Sequence, residues 1–413
     1  MGEIKVLMFG WEYAPIVSGG LGVVCRSLSQ HLAKHNARIT FVLPKIPRKM
    51  DVDYLRLVNA EDEEIDESLL KYYELPAFLT PYLTEKDFQK FSSLWKKNNM
   101  TVVDEEIYGL NLFEEVARYA VRAYKLAKTI DHDVIHAHDW MTFKAAINAK
   151  KVSGKPLVVH IHATEYERTA GNPNPMIYDY EKEGMVAADE IIAVSEKTKE
   201  KIVAHYGIDP NKIEVVHNAV DVPNNFSFEV NEDDPDKPYK LVLFLARMAP
   251  SKGADYLLRA AAKVLKKMSD VKFVFVGKGG MLDDMIDLSI DLGITKNVIF
   301  TGFLNHDQVD QAYRQADLFV MPSVAEPFGI TALEAIRNGT PVLMSKQSGA
   351  SEVIQNCLKV DFWDVDEMAN KILAVLSHGT LAETLQVNGI RDLERITWDS
   401  QSQRVLDIYQ RLM

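Results

Sequence analysis

The run from Glu326 to Glu334 combines two carboxylates with a glycine and the predicted start of a helix. It reads EPFGITALE and follows the apolar segment Leu318–Met321, so we predict a strand and then a helix that begins near Gly329. Unpaired N–H groups at a helix N-terminus bind phosphate, and glycine lets the backbone come close to the ligand. Carboxylates beside such a site suit the hydroxyls of a sugar. The alternative for each glutamate is a helix cap or a solvated helix face.

Two cations follow the first predicted strand in the second half of the chain. Arg247 and Lys252 lie in the segment ARMAPSKG, directly after Leu241–Ala246. Arginine makes paired hydrogen bonds to phosphate, and lysine supplies a compact positive charge. At the carboxyl end of a strand and opposite a helix N-terminus, the two residues predict a pyrophosphate site. In isolation, two ordinary surface cations would be the favoured interpretation.

Two glycine-rich segments also follow predicted strands. Ser18–Gly22 lies between the first strand and the first helix, where it either admits a ligand to the backbone or forms a simple turn. Val276–Gly280 resembles part of a dinucleotide-binding fingerprint, but Leu282 stands where the third glycine belongs. The sequence therefore gives little support to a hydride-transferring enzyme.

Four histidines occur as pairs at the ends of two further predicted strands. His136 and His138 end one strand, and His160 and His162 end the other. Because alternate residues of a strand share a face, the pairs could converge on the metal ion of a hydrolase. Polar strand ends are the alternative, and a hydrolase of this kind would leave the second half of the chain without a role. We therefore predict no metal ion.

Short apolar runs alternate with amphipathic stretches along most of the chain. Ile4–Phe9 predicts a buried strand, Gly20–Lys34 a helix and Arg38–Leu43 the next strand. This alternation predicts an α/β fold with parallel sheets that carry helices on both faces. It stops near Asp221 in a segment rich in proline, asparagine and acids, and then resumes. We predict two doubly wound domains and a connection between them: residues 1–221, residues 239–396 and a linker at 222–238.

Residues 51–100 are too long for an ordinary connection, and we interpret them as an insertion in the first domain. Glu61–Glu67 holds six acids in seven residues. Phe88–Trp95 has apolar residues at helical spacing with lysines among them. The simpler interpretation is a helix that packs on its own domain, and the alternative is a surface that binds an acceptor or a membrane.

Composition places the chain among folded, acidic proteins. It has 413 residues, 47% apolar, with 47 Lys and Arg against 59 Asp and Glu for a net charge of −12. This balance disfavours nucleic acid and anionic lipid as partners. Two cysteines cannot form a disulfide framework or a four-cysteine zinc site. With no signal peptide and no apolar run of membrane-spanning length, we expect a cytoplasmic protein without membrane insertion.

Taken together, these residues resemble the retaining glycosyltransferases of the GT-B fold, and among them the bacterial and archaeal glycogen synthases. The resemblance covers nearly the whole chain and rests on Gly19–Leu21, the HAHDW run at 136–140, His162, Arg247 with Lys252, and the Glu326–Glu334 run. It implies two facing Rossmann-like domains around a central cleft, with a final helix, 397–413, that crosses back to the first domain.

The resemblance also implies an activity. It is the transfer of glucose from ADP- or UDP-glucose to an α-1,4-glucan without a cofactor, and the resemblance allows a homo-oligomer. The alternative is a retaining glycosyltransferase that acts on a lipid-linked, cell-surface or sucrose-type acceptor. One departure concerns the donor: Val17 and Ser18 stand where the common bacterial enzymes carry Lys-Thr. The sequence therefore leaves the choice between ADP and UDP open.

The resemblance further implies roles for individual residues. Those implied to be catalytic are His162, Arg247, Lys252 and Glu326. Those implied to bind the donor are Gly19, Gly20, Asp139, Asn218, Gly277, Phe303, Leu304, Phe328, Gly329, Ile330 and Glu334.

Overall fold

The computed structural model describes residues 2–15, 20–46, 52–64, 112–222 and 238–413. Gly19, most of the predicted insertion and most of the predicted linker lie outside these described residues.

Thirteen strands are present in the described residues, and they form two sheets. In chain order they are β1 (Ile4–Phe9), β2 (Ala37–Leu43), β3 (Arg56–Asn59), β4 (Val134–His138), β5 (Leu157–Ile161), β6 (Glu190–Ala193), β7 (Ile213–Val215), β8 (Lys240–Leu245), β9 (Val271–Val276), β10 (Val298–Gly302), β11 (Leu318–Met321), β12 (Val342–Ser345) and β13 (Leu358–Val360).

Both sheets are doubly wound. The first has the strand order β3-β2-β1-β4-β5-β6-β7, and the second has the order β10-β9-β8-β11-β12-β13. The described pairings are all parallel. The order reverses between β1 and β4 in the first sheet and between β8 and β11 in the second. Such switch points open a crevice at the carboxyl ends of the strands, where ligands bind. The predicted fold class is confirmed.

Helices cover the sheets. The described α-helices are α1 (Gly20–Lys34), α2 (Leu112–Thr129), α3 (Trp140–Ser153), α4 (Glu165–Arg168), α5 (Pro175–Ala187), α6 (Glu196–Lys201), α7 (Ala254–Leu265), α8 (Leu282–Asp291), α9 (His306–Gln315), α10 (Ile330–Arg337), α11 (Val365–Ser377), α12 (Gly379–Leu393) and α13 (Trp398–Leu412). Among the described residues, no helix combines the length and the apolar character needed to cross a bilayer.

Strand β1 shows why its sequence is apolar without interruption. Val6 and Met8 pack into the core on one face of the first sheet, and Leu7 and Phe9 pack into the core on the other. Because both faces of a parallel sheet are covered, alternation between apolar and polar residues is lost. A continuous apolar run is therefore the pattern that such a strand requires.

The last helix, α13, packs on the first domain rather than on the second. It lies against α1, and its Val405, Ile408 and Tyr409 are buried. A hydrogen bond of 2.8 Å joins His35 Nε2 at the end of α1 to Asp399 Oδ1 at the start of α13. The end of the chain thus helps to form the core of the first domain.

Candidate active site

The loops after β8 and β11 meet at the switch point of the second sheet. Lys252 Nζ, from the first loop, donates to Glu326 Oε2, from the second, at 2.7 Å. Ser323 Oγ donates to the same carboxylate oxygen at 3.0 Å. The side chains of Lys252 and Glu326 are only 19% and 13% exposed. The structure therefore brings two predicted catalytic residues together in the crevice, and the exposed Arg247 lies five residues before Lys252 in the same loop.

Gly253 lets these two loops approach one another. Its φ is +69°, a conformation that side chains disfavour, and a Cβ placed there would lie 2.1 Å from the carbonyl oxygen of Pro322. The contact is with backbone, which cannot turn aside as a flexible side chain can. The residue after Lys252 must therefore be glycine for the cation to reach its position.

Helix α10 begins where the sequence predicts. Gly329 is its N-cap with φ +99°, Ile330 is its first residue, and Phe328 is buried just before it. Hydrogen bonds from Ser348 Oγ and the Ala350 N–H hold the Phe328 carbonyl at 2.7 and 2.6 Å. The first N–H groups of the helix are thus fixed at the carboxyl edge of the sheet, where they can bind an anion.

Glu334 lies one turn inside α10 and has different surroundings from Glu326. The Tyr313 hydroxyl donates to its carboxylate at 3.3 Å. Burial raises the pKa of Glu334, although the nearby Arg337 opposes this effect. A carboxyl in such a place suits hydrogen bonding to a neutral hydroxyl.

The remaining predicted donor-binding residues of the second domain lie on neighbouring loops. Gly277 follows β9, where its N–H donates to the Gly302 carbonyl at 2.8 Å. Phe303 and Leu304 follow β10, the edge strand, and Phe303 is 60% exposed. An exposed aromatic ring at a sheet edge is available to stack on a planar ligand.

Asp139 and His162 come together in the first domain. Asp139, at the end of β4, has φ +58°, and its Oδ1 accepts the N–H of His162 at 2.8 Å. Nε2 of His162 lies 2.9 Å from Nδ1 of His138, within hydrogen-bonding distance. Burial and then the charge of Arg168 lower the pKa of His162 to about 3. His162 is therefore a neutral imidazole at physiological pH.

Two other predicted residues of the first domain are placed as follows. Asn218 is buried just beyond β7. Gly20 is the first residue of α1, while its neighbour Gly19 lies outside the described residues. The role of this glycine pair stays a prediction.

Arg168 is a site residue that the sequence did not indicate. Its guanidinium contacts the carboxylates of Asp139 at 3.3 Å, Glu165 at 3.7 Å and Glu181 at 3.0 Å. This network holds Asp139, which in turn holds His162. Glu165 and Arg168 lie three residues apart on a short helix, and this spacing could have predicted their ion pair. Glu181 lies on a separate helix, so its contact with Arg168 could not be predicted from spacing.

Contacts between the domains also hold the segment between β11 and α10. Ser195 Oγ, after β6, donates to the Pro327 carbonyl at 2.6 Å. The Glu352 carboxylate accepts the N–H groups of Glu196 and Lys197 at 2.9 and 3.0 Å. His217 Nε2 also approaches Glu352, at 3.1 Å. The segment that precedes α10 is therefore held by the first domain as well as by its own.

Two parallel-sheet domains, with a cation–carboxylate pair and a helix N-terminus at one switch point, form the architecture of the GT-B fold. Two family descriptions match the chain in succession. Glycosyltransferase Family 4 matches residues 18–223, and Glycosyl transferases group 1 matches residues 226–392. Both descriptions are of glycosyltransferases, and between them they cover most of the chain.

Curated relatives extend over much or all of the chain. An uncharacterized glycosyltransferase of Methanocaldococcus jannaschii is 29% identical, covering 98% of each chain. A D-inositol 3-phosphate glycosyltransferase of Rhodococcus jostii is 28% identical over 67% of this chain and 66% of the relative. A glycogen synthase of Mycobacterium tuberculosis is 26% identical over 86% of this chain and 80% of the relative.

Solved structures share the fold over the full length. Sucrose-phosphate synthase from Thermosynechococcus elongatus superimposes with a TM-score of 0.69 at 17% identity, covering 99% of each chain. Anabaena HepE, solved in complex with UDP and glucose, superimposes with a TM-score of 0.65 at 17% identity over 99% of this chain and all of that one.

Proposed function

We propose that this protein is a retaining glycosyltransferase that transfers glucose from UDP- or ADP-glucose to the non-reducing end of an α-1,4-glucan. The observation that carries the proposal is the Lys252–Glu326 pair at the switch point. Glu326 lies in the loop that leads directly into α10. It places a phosphate-binding cation next to a carboxylate that can bind sugar hydroxyls. HepE, with the same fold, was solved with UDP and glucose, which supports a donor of this chemical class.

The first requirement of this reaction is to stabilise negative charge on the leaving group. As the bond to the sugar breaks, charge develops on the departing diphosphate. Lys252 and the first N–H groups of α10 stabilise that charge from fixed positions, which requires little rearrangement during the reaction, and Arg247 supplies a second cation. Because these groups supply the positive charge, the proposal includes no metal ion at the diphosphate.

Positive charge on the sugar ring is the second demand. His162 is neutral, so it can share a hydrogen bond with the sugar without adding repulsion. Glu326 binds hydroxyls of the transferred glucose, and Glu334 those of the ribose. In the proposed reaction the acceptor hydroxyl approaches on the side of the departing diphosphate. Its oxygen bonds to the anomeric carbon as the bond to the diphosphate breaks, a phosphate oxygen takes its proton, and the α configuration is kept.

The glucan acceptor is supported by the HAHDW run at 136–140 and by the glycogen synthase among the relatives. The alternative acceptor is small or lipid-linked. The sucrose-phosphate synthase fold and the inositol phosphate glycosyltransferase relative favour a small one.

Products from a matrix of substrates test this proposal. UDP-glucose and ADP-glucose are each incubated with maltohexaose, fructose 6-phosphate or inositol 3-phosphate, and the new linkage is determined by NMR. We expect maltohexaose to be extended by α-1,4-linked glucose. Protein carrying Lys252→Ala, purified in parallel, controls for a contaminating transferase. A β-linked product would contradict retention. An α-linked product on a small acceptor, without extension of maltohexaose, would replace the glucan with the alternative acceptor.

A further inference from the structure

Four imidazole rings lie side by side beneath the cleft, on one face of β4 and β5. His138 is paired in register with His160 across the two strands. Ring centroids are 4.5 Å apart between His136 and His138 and 4.2 Å apart between His160 and His162. The Tyr409 ring of α13 packs edge-on against His136. The cluster therefore lies between the first sheet and the last helix.

Three of these histidines each bring one ring nitrogen close to a nitrogen of the other two. His136, His138 and His160 each offer one nitrogen, and the three atoms lie within 4.8 Å of one another. All three side chains are buried, with exposures of 0%, 0% and 2%. Three neutral imidazoles are a sufficient ligand set for a tetrahedral zinc ion, whose fourth position takes water.

Hydrogen bonds already fix the ring orientation of two of the three. Nδ1 of His136 is hydrogen-bonded to the Tyr409 hydroxyl, and Nδ1 of His138 lies 2.9 Å from His162 Nε2. In both residues Nε2 has no partner among the described residues. Metal-binding histidines commonly use one nitrogen for a hydrogen bond that orients the ring and the other for the metal. This arrangement fits a metal ligand when Nδ1 of each ring carries the proton and Nε2 is the free acceptor.

The unpaired nitrogens also need an explanation on energetic grounds. Within the described part of the chain, both nitrogens of His160 and Nδ1 of His162 lack a hydrogen-bond partner as well. Leaving a buried polar atom without a hydrogen-bond partner destabilises the folded protein. Several such atoms in one cluster indicate that an additional species occupies the space between the rings.

We propose that His136, His138 and His160 bind one divalent transition-metal ion of the zinc class, which joins β4 to β5 and lies beside the contact with α13. Imidazole nitrogen is a preferred ligand of Zn²⁺, Cu²⁺ and Ni²⁺ but not of Mg²⁺ or Ca²⁺. Nitrogens around tetrahedral zinc are about 3.3 Å apart, so the ligand set contracts when the ion enters. Because the three ligands are buried, a substrate cannot reach the ion, and its role is to hold the two strands together.

The proposed site adjoins the Arg168 network. Around Arg168, close to His162, three carboxylates share a single guanidinium. Through the His138–His162 contact, a bound metal also fixes the orientation of His162 beneath the proposed sugar site.

Measuring the metal content of the purified protein tests for this site independently of enzymatic activity. The protein is produced with a tag that contains no histidine in zinc-supplemented medium, because an enclosed site fills most readily during folding. Inductively coupled plasma mass spectrometry then gives zinc per chain. A second preparation, refolded with Co²⁺ alone, is examined for the intense visible absorption of tetrahedral cobalt. We expect close to one equivalent of zinc and a clear cobalt spectrum.

Two variants locate the ion. His160→Gln should lose the zinc and the cobalt spectrum, whereas His205→Gln, at an exposed histidine stacked on Tyr166, should keep both. If His160→Gln does not fold, the wild-type measurements still decide. Well under one equivalent of zinc with no cobalt spectrum would overturn the proposal and leave ordered water as the partner of the rings. Equal zinc in wild type and His160→Gln would also overturn it, because the ion would then lie elsewhere.

Discussion

Replacing Lys252 with alanine should lower kcat/KM for the nucleotide-sugar by about 100-fold or more. Lys252 is placed to stabilise charge that appears on the leaving diphosphate, and removing one such group costs about 3 kcal/mol in the transition state. The substitution also leaves Glu326, now only 13% exposed, without its cationic partner. Steady-state kinetics at varied donor concentration measure the effect, and circular dichroism checks the fold.

Lys263→Ala is the matched control for this experiment. Lys263 lies on α7 of the same domain and pairs at the surface with Asp366, so its loss should change kcat/KM less than twofold. Arg247→Ala should lower kcat/KM about as much as Lys252→Ala does, unlike the control. Near-normal turnover in both Arg247→Ala and Lys252→Ala would mean that the diphosphate binds elsewhere.

Gly253→Ala should destabilise the protein by about 3–5 kcal/mol and reduce kcat/KM by at least about tenfold. The new Cβ would lie 2.1 Å from the Pro322 carbonyl oxygen, so the loops after β8 and β11 must separate. That separation moves Lys252 away from Glu326. Thermal unfolding and steady-state kinetics of the same preparation measure the two effects.

Gly293→Ala separates backbone strain from the steric contact. Gly293 has the same φ of +69°, but its added Cβ would meet no atom within 4 Å among the described residues. It should therefore cost only the strain of the left-handed conformation, about 1–2 kcal/mol, and leave kcat/KM unchanged. Equal effects of the two substitutions would show that the contact between the loops does not position Lys252.

Much of the fold follows from local pattern. The bounds of β1 and α1 agree with the sequence prediction, because continuous apolar runs and helical periodicity act over a few residues. The start of α10 was also predictable, since Gly329 is the residue that a left-handed N-cap requires. Such features depend on neighbours in the chain, which the sequence displays directly.

Contacts between distant residues were not predictable in the same way. Ser195 and Pro327 are 132 residues apart, and nothing in either segment indicates that a hydroxyl on one domain holds a carbonyl on the other. The histidine pairs were visible, but the hydrogen bond from His136 to Tyr409 depends on α13 crossing to the first sheet. The sequence pattern thus predicts helices and strands, whereas the packing of the folded chain determines which distant side chains come into contact.

A crystal structure of the protein with UDP, and a second with ADP, tests the central claim most directly. We expect the diphosphate to lie against the Arg247 guanidinium, Lys252 Nζ and the first N–H groups of α10, with the base beside Phe303. A diphosphate bound instead at the start of α1, or held by the loop after β9 without Lys252, would contradict the account.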